Sequence, residues 1–208
     1  MEYSINAHSS IRVADDKVIY FDPFKIEEER HDADVVFITH SHYDHLDPES
    51  IEKVAGEDTL FVLPRSCEQD AMNAGLSEAK CRFLVPGESI LVKGLEVRGI
   101  PAYNMGKDFH PMKNRWLGYV VTIGGKRIYV MGDTDDNPYT RNAQFDVLFI
   151  PVGGKYTMNH EDAAFYVNEM QPELAIPTHY GSIVGRKDDG EKFKNLVEGD
   201  TKVELIIE

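Results

Sequence analysis

Two cysteines in 208 residues are too few for a disulfide framework, and Cys67 and Cys81 form no CxxC and have no histidine close by in sequence. Each reads as a small buried hydrophobe rather than a ligand or a bridge partner. No apolar run approaches the roughly 20 residues that a membrane helix needs, and Met1-Glu2-Tyr3-Ser4 lacks the basic-then-apolar pattern of a secretory leader. The expected location is therefore the cytoplasm. Positive charge is scarce too: 22 Lys and Arg against 36 Asp and Glu leave a net charge of -14. A surface of that sign repels phosphate backbones and anionic lipid, so neither nucleic acid nor a membrane is an expected partner. There is no composition shift, low-complexity tract or linker, which predicts one domain over residues 1–208, and 42% hydrophobic residues can build its core. The single tryptophan, Trp116, suits a core or a pocket wall.

What is abundant is short β-like runs: 11–14, 17–21, 35–39, 59–63, 81–85, 89–92, 95–100, 118–123, 126–131, 147–151, 174–177 and 202–207. The stretches around Asp15-Asp16 and Gly124-Gly125 read as tight hairpin turns, hence antiparallel pairing. Amphipathic helices are predicted over 48–54, 66–74, 160–169 and 190–196, the third capped by Asn159. Two strands, Lys17 to Asp22 and Lys126 to Asp133, end alike on an aspartate. The acidic stretch Glu27 to Asp32 reads as a solvated loop or short helix.

The densest chemistry follows the apolar run Val35-Val36-Phe37-Ile38, where Thr39-His40-Ser41-His42-Tyr43-Asp44-His45 packs three imidazoles and a carboxylate into six residues. Those are the nitrogen and oxygen donors of a metal site. Residues two apart on an extended segment face the same way, so His40 and His42 can converge on one ion. Asp44 and His45, past the turn, are free to point at a neighbouring ion.

Thr-His-x-His-x-Asp-His after a strand, followed in order by Phe21-Asp22-Pro23 on its N-terminal side and by Gly132-Asp133-Thr134 and Pro177-Thr178-His179-Tyr180-Gly181 downstream, resembles the metallo-β-lactamase fold superfamily. The likeness runs along nearly the whole chain. It implies an α/β (α+β) fold, a four-layer αββα sandwich with the site at one edge between two sheets. It also implies that His40 and His42 belong to a first metal, Asp44, His45 and His179 to a second, and that Asp133 bridges them, with Asp22 orienting a ligating histidine. Within that superfamily, His8-Ser9-Ser10, Pro101-Ala102-Tyr103-Asn104 and Gly132-Asp133-Thr134 look like the small hydrolases related to ascorbate-6-phosphate lactonase, whose substrate does not carry over.

One departure stands out, because Asn104 occupies the segment where a third histidine of the first site is expected. An amide oxygen is a harder, weaker donor than imidazole, which makes manganese or iron more competitive with zinc. Asn104 reads as a site-lining donor or weak ligand, and His110, in the same loop, as a ligand, a substrate contact or a structural residue. His8 is either a contact behind or beside the site or a packed histidine, and Tyr156, after the glycines 153–154, is a candidate oxyanion helper. The expectation is a hydrolase of a small, anionic or neutral substrate (a lactone, ester, thioester or phosphodiester), with one or two divalent ions of zinc or manganese, or iron. Asp44 would be the catalytic residue that orients the attacking water or accepts its proton, and a homo-oligomer is compatible with the sequence. The alternatives are a metal-binding sensor or scaffold without turnover and, with less support, a diiron oxidoreductase or a nuclease.

Overall fold

Side chains two apart on a strand share a face, and here both faces of most central strands are apolar, so both must be covered. A computed structural model, which describes residues 1–207, shows how. The first half of the chain forms a six-stranded sheet in sequence order: β1 (Glu2–Ile5), β2 (Ile11–Ala14), β3 (Val18–Phe21), β4 (Ala33–Phe37), β5 (Ala55–Pro64) and β6 (Cys81–Leu84). The second half forms a seven-stranded sheet, again ordered as in the sequence: β7 (Ser89–Val92), β8 (Leu95–Pro101), β9 (Leu117–Ile123), β10 (Lys126–Val130), β11 (Val147–Pro151), β12 (Leu174–Thr178) and β13 (Lys202–Val203). In each sheet hairpin-connected strands pair antiparallel, and from β3 and β10 onward the pairing is parallel.

The sheets face each other across one core. Val35 and Phe37 of β4 meet Tyr119, Val130 and Phe149 of the second sheet there, while their neighbours Val36 and Ile38 point to the opposite side. That opposite side is covered by α1 (Pro48–Val54) and α2 (Glu68–Asn73) through Ile51, Val54 and Ala71. The outer face of the second sheet, with Tyr129, Leu148 and Ile150, is covered by α4 (His160–Met170) and α5 (Asp189–Leu196), next to the short α3 (Pro138–Arg141). The order of layers is helix, sheet, sheet, helix, as expected from the motif order.

Most boundaries fall within two residues of the sequence reading, with specific exceptions. The 66–74 helix is a 3-10 turn over Arg65–Cys67 followed by α2, β5 begins at Ala55 rather than 59, and the last strand closes after Val203 rather than at 207. Glu27 to Asp32 is a loop with no helix, and its last residue is tied down rather than solvated: Asp32 accepts from Arg12 Nη2 at 2.8 Å and from the Tyr20 hydroxyl at 2.7 Å.

Hydrogen bonds tie the two sheets together near the strand ends that matter. Leu117 N–H donates to Thr39 O at 3.2 Å, the Tyr119 hydroxyl to Ile38 O at 2.8 Å, and His179 N–H to His8 O at 3.0 Å. Gly118 lets β9 pack closely on the end of β10: a β-carbon there would sit 2.5 Å from Met131 O. No helix among the described residues is long and apolar enough to cross a membrane.

Candidate metal centre

The converging side chains leave from just past the ends of strands, from the loop between β1 and β2 (His8) and from the loop between β8 and β9 (His110). Because β3 and β4 run parallel with Phe21 opposite Phe37, Asp22 lies beside Thr39. Thr39 donates twice to its carboxylate, from N–H at 2.8 Å and from Oγ1 at 2.6 Å, and His45 Nδ1 sits 2.7 Å from the same carboxylate. A carboxylate only accepts, so Nδ1 of His45 carries a proton and Nε2 faces the centre. Thr39 has already given its one hydroxyl proton to Asp22, so Oγ1 accepts from His40 Nδ1 at 3.0 Å, which turns His40 Nε2 inward. One threonine and one aspartate thereby set two imidazoles.

His110 is set from behind in the same way. Its Nδ1 lies 3.1 Å from Tyr156 O, an acceptor, so Nε2 is the nitrogen that looks inward, 3.3 Å from His42 Nδ1. His42 Nδ1 is in turn 3.0 Å from His40 Nε2. His40, His42 and His110 thus form a donor set of three imidazoles.

A second set, His8, Asp44, His45 and His179, lies on the other side of Asp133. Asp133 Oδ2 is 3.2 Å from His110 Nε2 and 3.0 Å from His179 Nε2, and Oδ1 is 3.4 Å from His45 Nε2. His8 Nε2 approaches Asp44 Oδ2 to 3.4 Å, and its ring lies 3.8 Å from that of His179. His8, Asp22, His110 and His179 all adopt left-handed backbone, with φ of 56°, 46°, 55° and 59°. Non-glycine residues rarely hold that conformation, and four at one site mark backbone strain set by the surroundings.

The electrostatics follow from burial and crowding. Burial, reinforced by the neighbouring His45, holds His40 well below the ordinary imidazole range, and burial brings His8 down to about 4 despite Asp44. Burial and then His110 lower His42. Burial would also lower His45, but Asp133 and Asp22 outweigh it and raise it to about 9. Burial alone would raise Asp133, yet His179, His45 and the His110 contact hold it well below the carboxylate range. Asp44 is treated likewise, its burial outweighed by His8 and His45, and falls to about 2. Burial pushes Asp22 up against the opposing effect of His45 and Thr39.

These donors fit a divalent cation. Both ring nitrogens of His8, Nε2 of His45, Oδ1 of Asp133 and Nδ1 of His179 are buried with no hydrogen-bond partner, an expensive state for polar atoms unless a cation meets them. Neutral imidazoles with a few carboxylates are the donor chemistry of zinc, manganese or iron.

Asn104 has a further part. Its Nδ2 donates to Tyr156 O at 2.6 Å and Phe109 O at 3.1 Å, and its backbone N–H donates to His110 O at 2.9 Å. The NH2 faces those carbonyls because they can only accept, so Asn104 braces the loop that delivers His110, while its Oδ1 is buried with no hydrogen-bond partner, like the donors above. Its NH2 is also unavailable to an oxyanion. Tyr156 contributes its carbonyl, while its ring packs on Phe109 at 4.6 Å. Gly153 serves packing, since a β-carbon there would meet His179 O at 2.1 Å. The sequence left His110 and His8 open among several roles. The available signal was compositional: six of the chain's eight histidines converge here.

An αββα sandwich with paired donor sets at its strand ends defines a class of metallohydrolase. Residues 5–179 match the family described as "Beta-lactamase superfamily domain", and the chain belongs to that superfamily. It is similar to a UPF0173 metal-dependent hydrolase from Thermococcus onnurineus, 30% identical over 213 residues covering 96% of this chain and 92% of the relative. A UPF0173 metal-dependent hydrolase from Pelotomaculum thermopropionicum is 29% identical over 223 residues, covering 100% and 96%. Among solved structures, a candidate metal-dependent hydrolase from Parabacteroides distasonis superposes with a TM-score of 0.81 at 28% identity, covering 99% of this chain and 93% of the other. Igni18, a metallo hydrolase from Ignicoccus hospitalis, shares the fold with a TM-score of 0.79 at 24% identity over 98% and 93%. The chain is an enzyme of the metal-dependent hydrolase class.

Proposed function

We propose that this enzyme hydrolyses a small-molecule lactone, ester, thioester or phosphodiester with two divalent ions. The first would be held by His40, His42 and His110, the second by Asp44, His45 and His179 with His8 beside them, and Asp133 would be shared. The observation that carries the reading is Asp133 itself, one buried carboxylate within 3.4 Å of nitrogens from both donor sets. Three imidazoles in the first set favour zinc there over the manganese or iron that an Asn104 ligand would suit. A first set that has three imidazoles without Asn104 counts against a sensor without turnover.

Bound ions would supply Lewis acidity and water of lowered pKa. The chain's own residues do the rest. Asp22 and Thr39 fix which nitrogens of His45 and His40 face inward, and Tyr156 O with Asn104 does so for His110. Asp44, depressed to about 2, is ionised at neutral pH and a weak base, so it orients the attacking water as a hydrogen-bond acceptor. His8, lowered to about 4, is neutral beside it.

The test is protein purified without chelator, with metal counted by elemental analysis and turnover assayed on those four substrate classes with added zinc or manganese. His110→Ala should lose one ion per chain and about a hundredfold or more in kcat/KM, beyond the 10–100-fold typical of residues behind the ligands. Metal-loaded wild type inert on every class, or His110→Ala with full activity, overturns the reading.

A further inference from the structure

Trp116 touches two things at once. Its ring centroid lies 4.7, 4.9 and 5.5 Å from those of His40, His42 and His110, and it also lines a cavity of about 270 Å³ with Pro101, Tyr103, Met112, Arg115 and Tyr139. The cavity therefore shares a wall with the first donor set. Its lining is aromatic and aliphatic apart from one charge, the Arg115 guanidinium. In a chain with 36 acidic residues, none of the lining residues is acidic. Among the described residues no carboxylate lies within 4.0 Å of that guanidinium. The backbone of Arg115 is fixed, since it is the left-handed residue, φ 56°, that ends the 3-10 turn Met112–Asn114, its N–H donating to Met112 O.

An apolar pocket beside the first donor set, with one unpaired planar cation in its lining, matches one ligand chemistry. Aromatic faces take a ring, and a guanidinium takes a carboxylate through two parallel N–H bonds. The volume lies just under the range of drug-sized pockets, enough for one ring and its substituent. We propose that this cavity binds an aromatic carboxylate, and that Arg115 and Trp116 make it the specificity pocket for substrates carrying such a group. The second half of that statement rests on the hydrolase reading; the first does not.

The experiment keeps the two apart. Binding of 3-phenylpropionate and of its neutral isostere 3-phenylpropanamide to chelator-treated protein is followed through Trp116, the sole tryptophan, by emission and by its indole N–H resonance. Separately, metal-loaded protein is assayed on 4-carboxyphenyl acetate against phenyl acetate. The carboxylate should bind about tenfold tighter than the amide, the equivalent of one charge-assisted hydrogen bond. Arg115→Gln should erase that difference and leave amide binding in place. Met112→Glu, at an exposed position, should weaken the carboxylate alone. Both variants should melt with wild type. Equal affinity for the two probes, no response at Trp116, or Arg115→Gln binding the carboxylate as wild type does overturns the cavity proposal. Binding as expected with neither ester cleaved, in protein inert on all four substrate classes, overturns the hydrolase reading and leaves the ligand class standing. Cleavage of both esters at equal kcat/KM refutes the specificity role.

Discussion

His45 presents Nε2 to the centre because Asp22 takes the proton on Nδ1, and that dependence is testable at a single atom. In Asp22→Asn one carboxylate oxygen becomes an NH2, which must face either Thr39 N–H or the His45 and Thr39 donors that now meet an acceptor. Either choice sets donor against donor. Metal affinity should fall about 10–100-fold, measured by competition with a chromophoric chelator, and unchanged affinity would remove Asp22 from the site. His40, His42, Asp44 and His45 were legible from their spacing just past a strand, whereas Asp133 and His179 were legible only through the resemblance of their motifs to the superfamily. His110 and His8 were not. Both lie in loops and hold left-handed backbone, and nothing in a run of residue types tells how far such a loop doubles back.

Between elements, two couplings carry predictions. Tyr20 on β3 and Arg12 on β2 grip Asp32 in the loop that precedes β4. Burial raises Asp32, but the Tyr20 and Arg12 contacts outweigh it and hold it below its ordinary value. Burial and then Asp32 raise Tyr20 to about 12. The two signs differ in their pH window. A lowered acid stabilises the fold above its unfolded value of about 3.9 and loses that contribution as pH falls through the folded value. A raised phenol stabilises below its unfolded value of about 10 and loses the contribution as pH climbs towards 12. Melting curves should therefore show Asp32→Asn less stable than wild type from pH 5 to 8, the gap closing below about pH 4. Tyr20→Phe should flatten the alkaline decline above about pH 10. A gap independent of pH contradicts the pairing.

The second coupling is Gly118 on β9, whose missing β-carbon lets Met131 O come close, two residues before Asp133. Gly118→Ala should destabilise by about 2 kcal/mol, within the usual cost of overpacking, and loosen metal binding along with it. Denaturant unfolding and metal counting together check this, and an alanine variant of wild-type stability sinks it. Most strands were legible as short apolar runs, since Val35 to Ile38 and Ile128 to Met131 point apolar side chains both ways. β1 was not, because four residues, Glu2 and Ser4 alternating with Tyr3 and Ile5, give too short a pattern. α3 was missed for a like reason: four residues held by the Asn137 cap and Pro138 are a turn's worth of helix.

At the scale of the whole molecule, the donors come from both halves: His8 to His45 from the first sheet's side and His110 to His179 from the second's. Ions held there would clamp the two sheets. Ligand at a thousandfold over its dissociation constant stabilises by about 4 kcal/mol, so chelation should lower the melting temperature by on the order of 10 °C for a chain of this size. Scanning calorimetry with chelator, then with zinc restored, measures it, and a melting temperature indifferent to both would place the ions outside the folding equilibrium. The layer order was legible because the motifs fall at strand ends in superfamily sequence. The pairing of sheets across one core was not read from residues alone, since the apolar strands of each half look alike.

The left-handed histidines have a consequence for anyone who engineers this protein. At His8, His110 and His179 glycine would relax backbone strain worth roughly 1 kcal/mol or more each, so a search for heat-resistant variants conducted in chelator would be rewarded for deleting them. Thermostability and catalysis would then be selected in opposite directions. A stabilised version of this enzyme has to be evolved with its metal present.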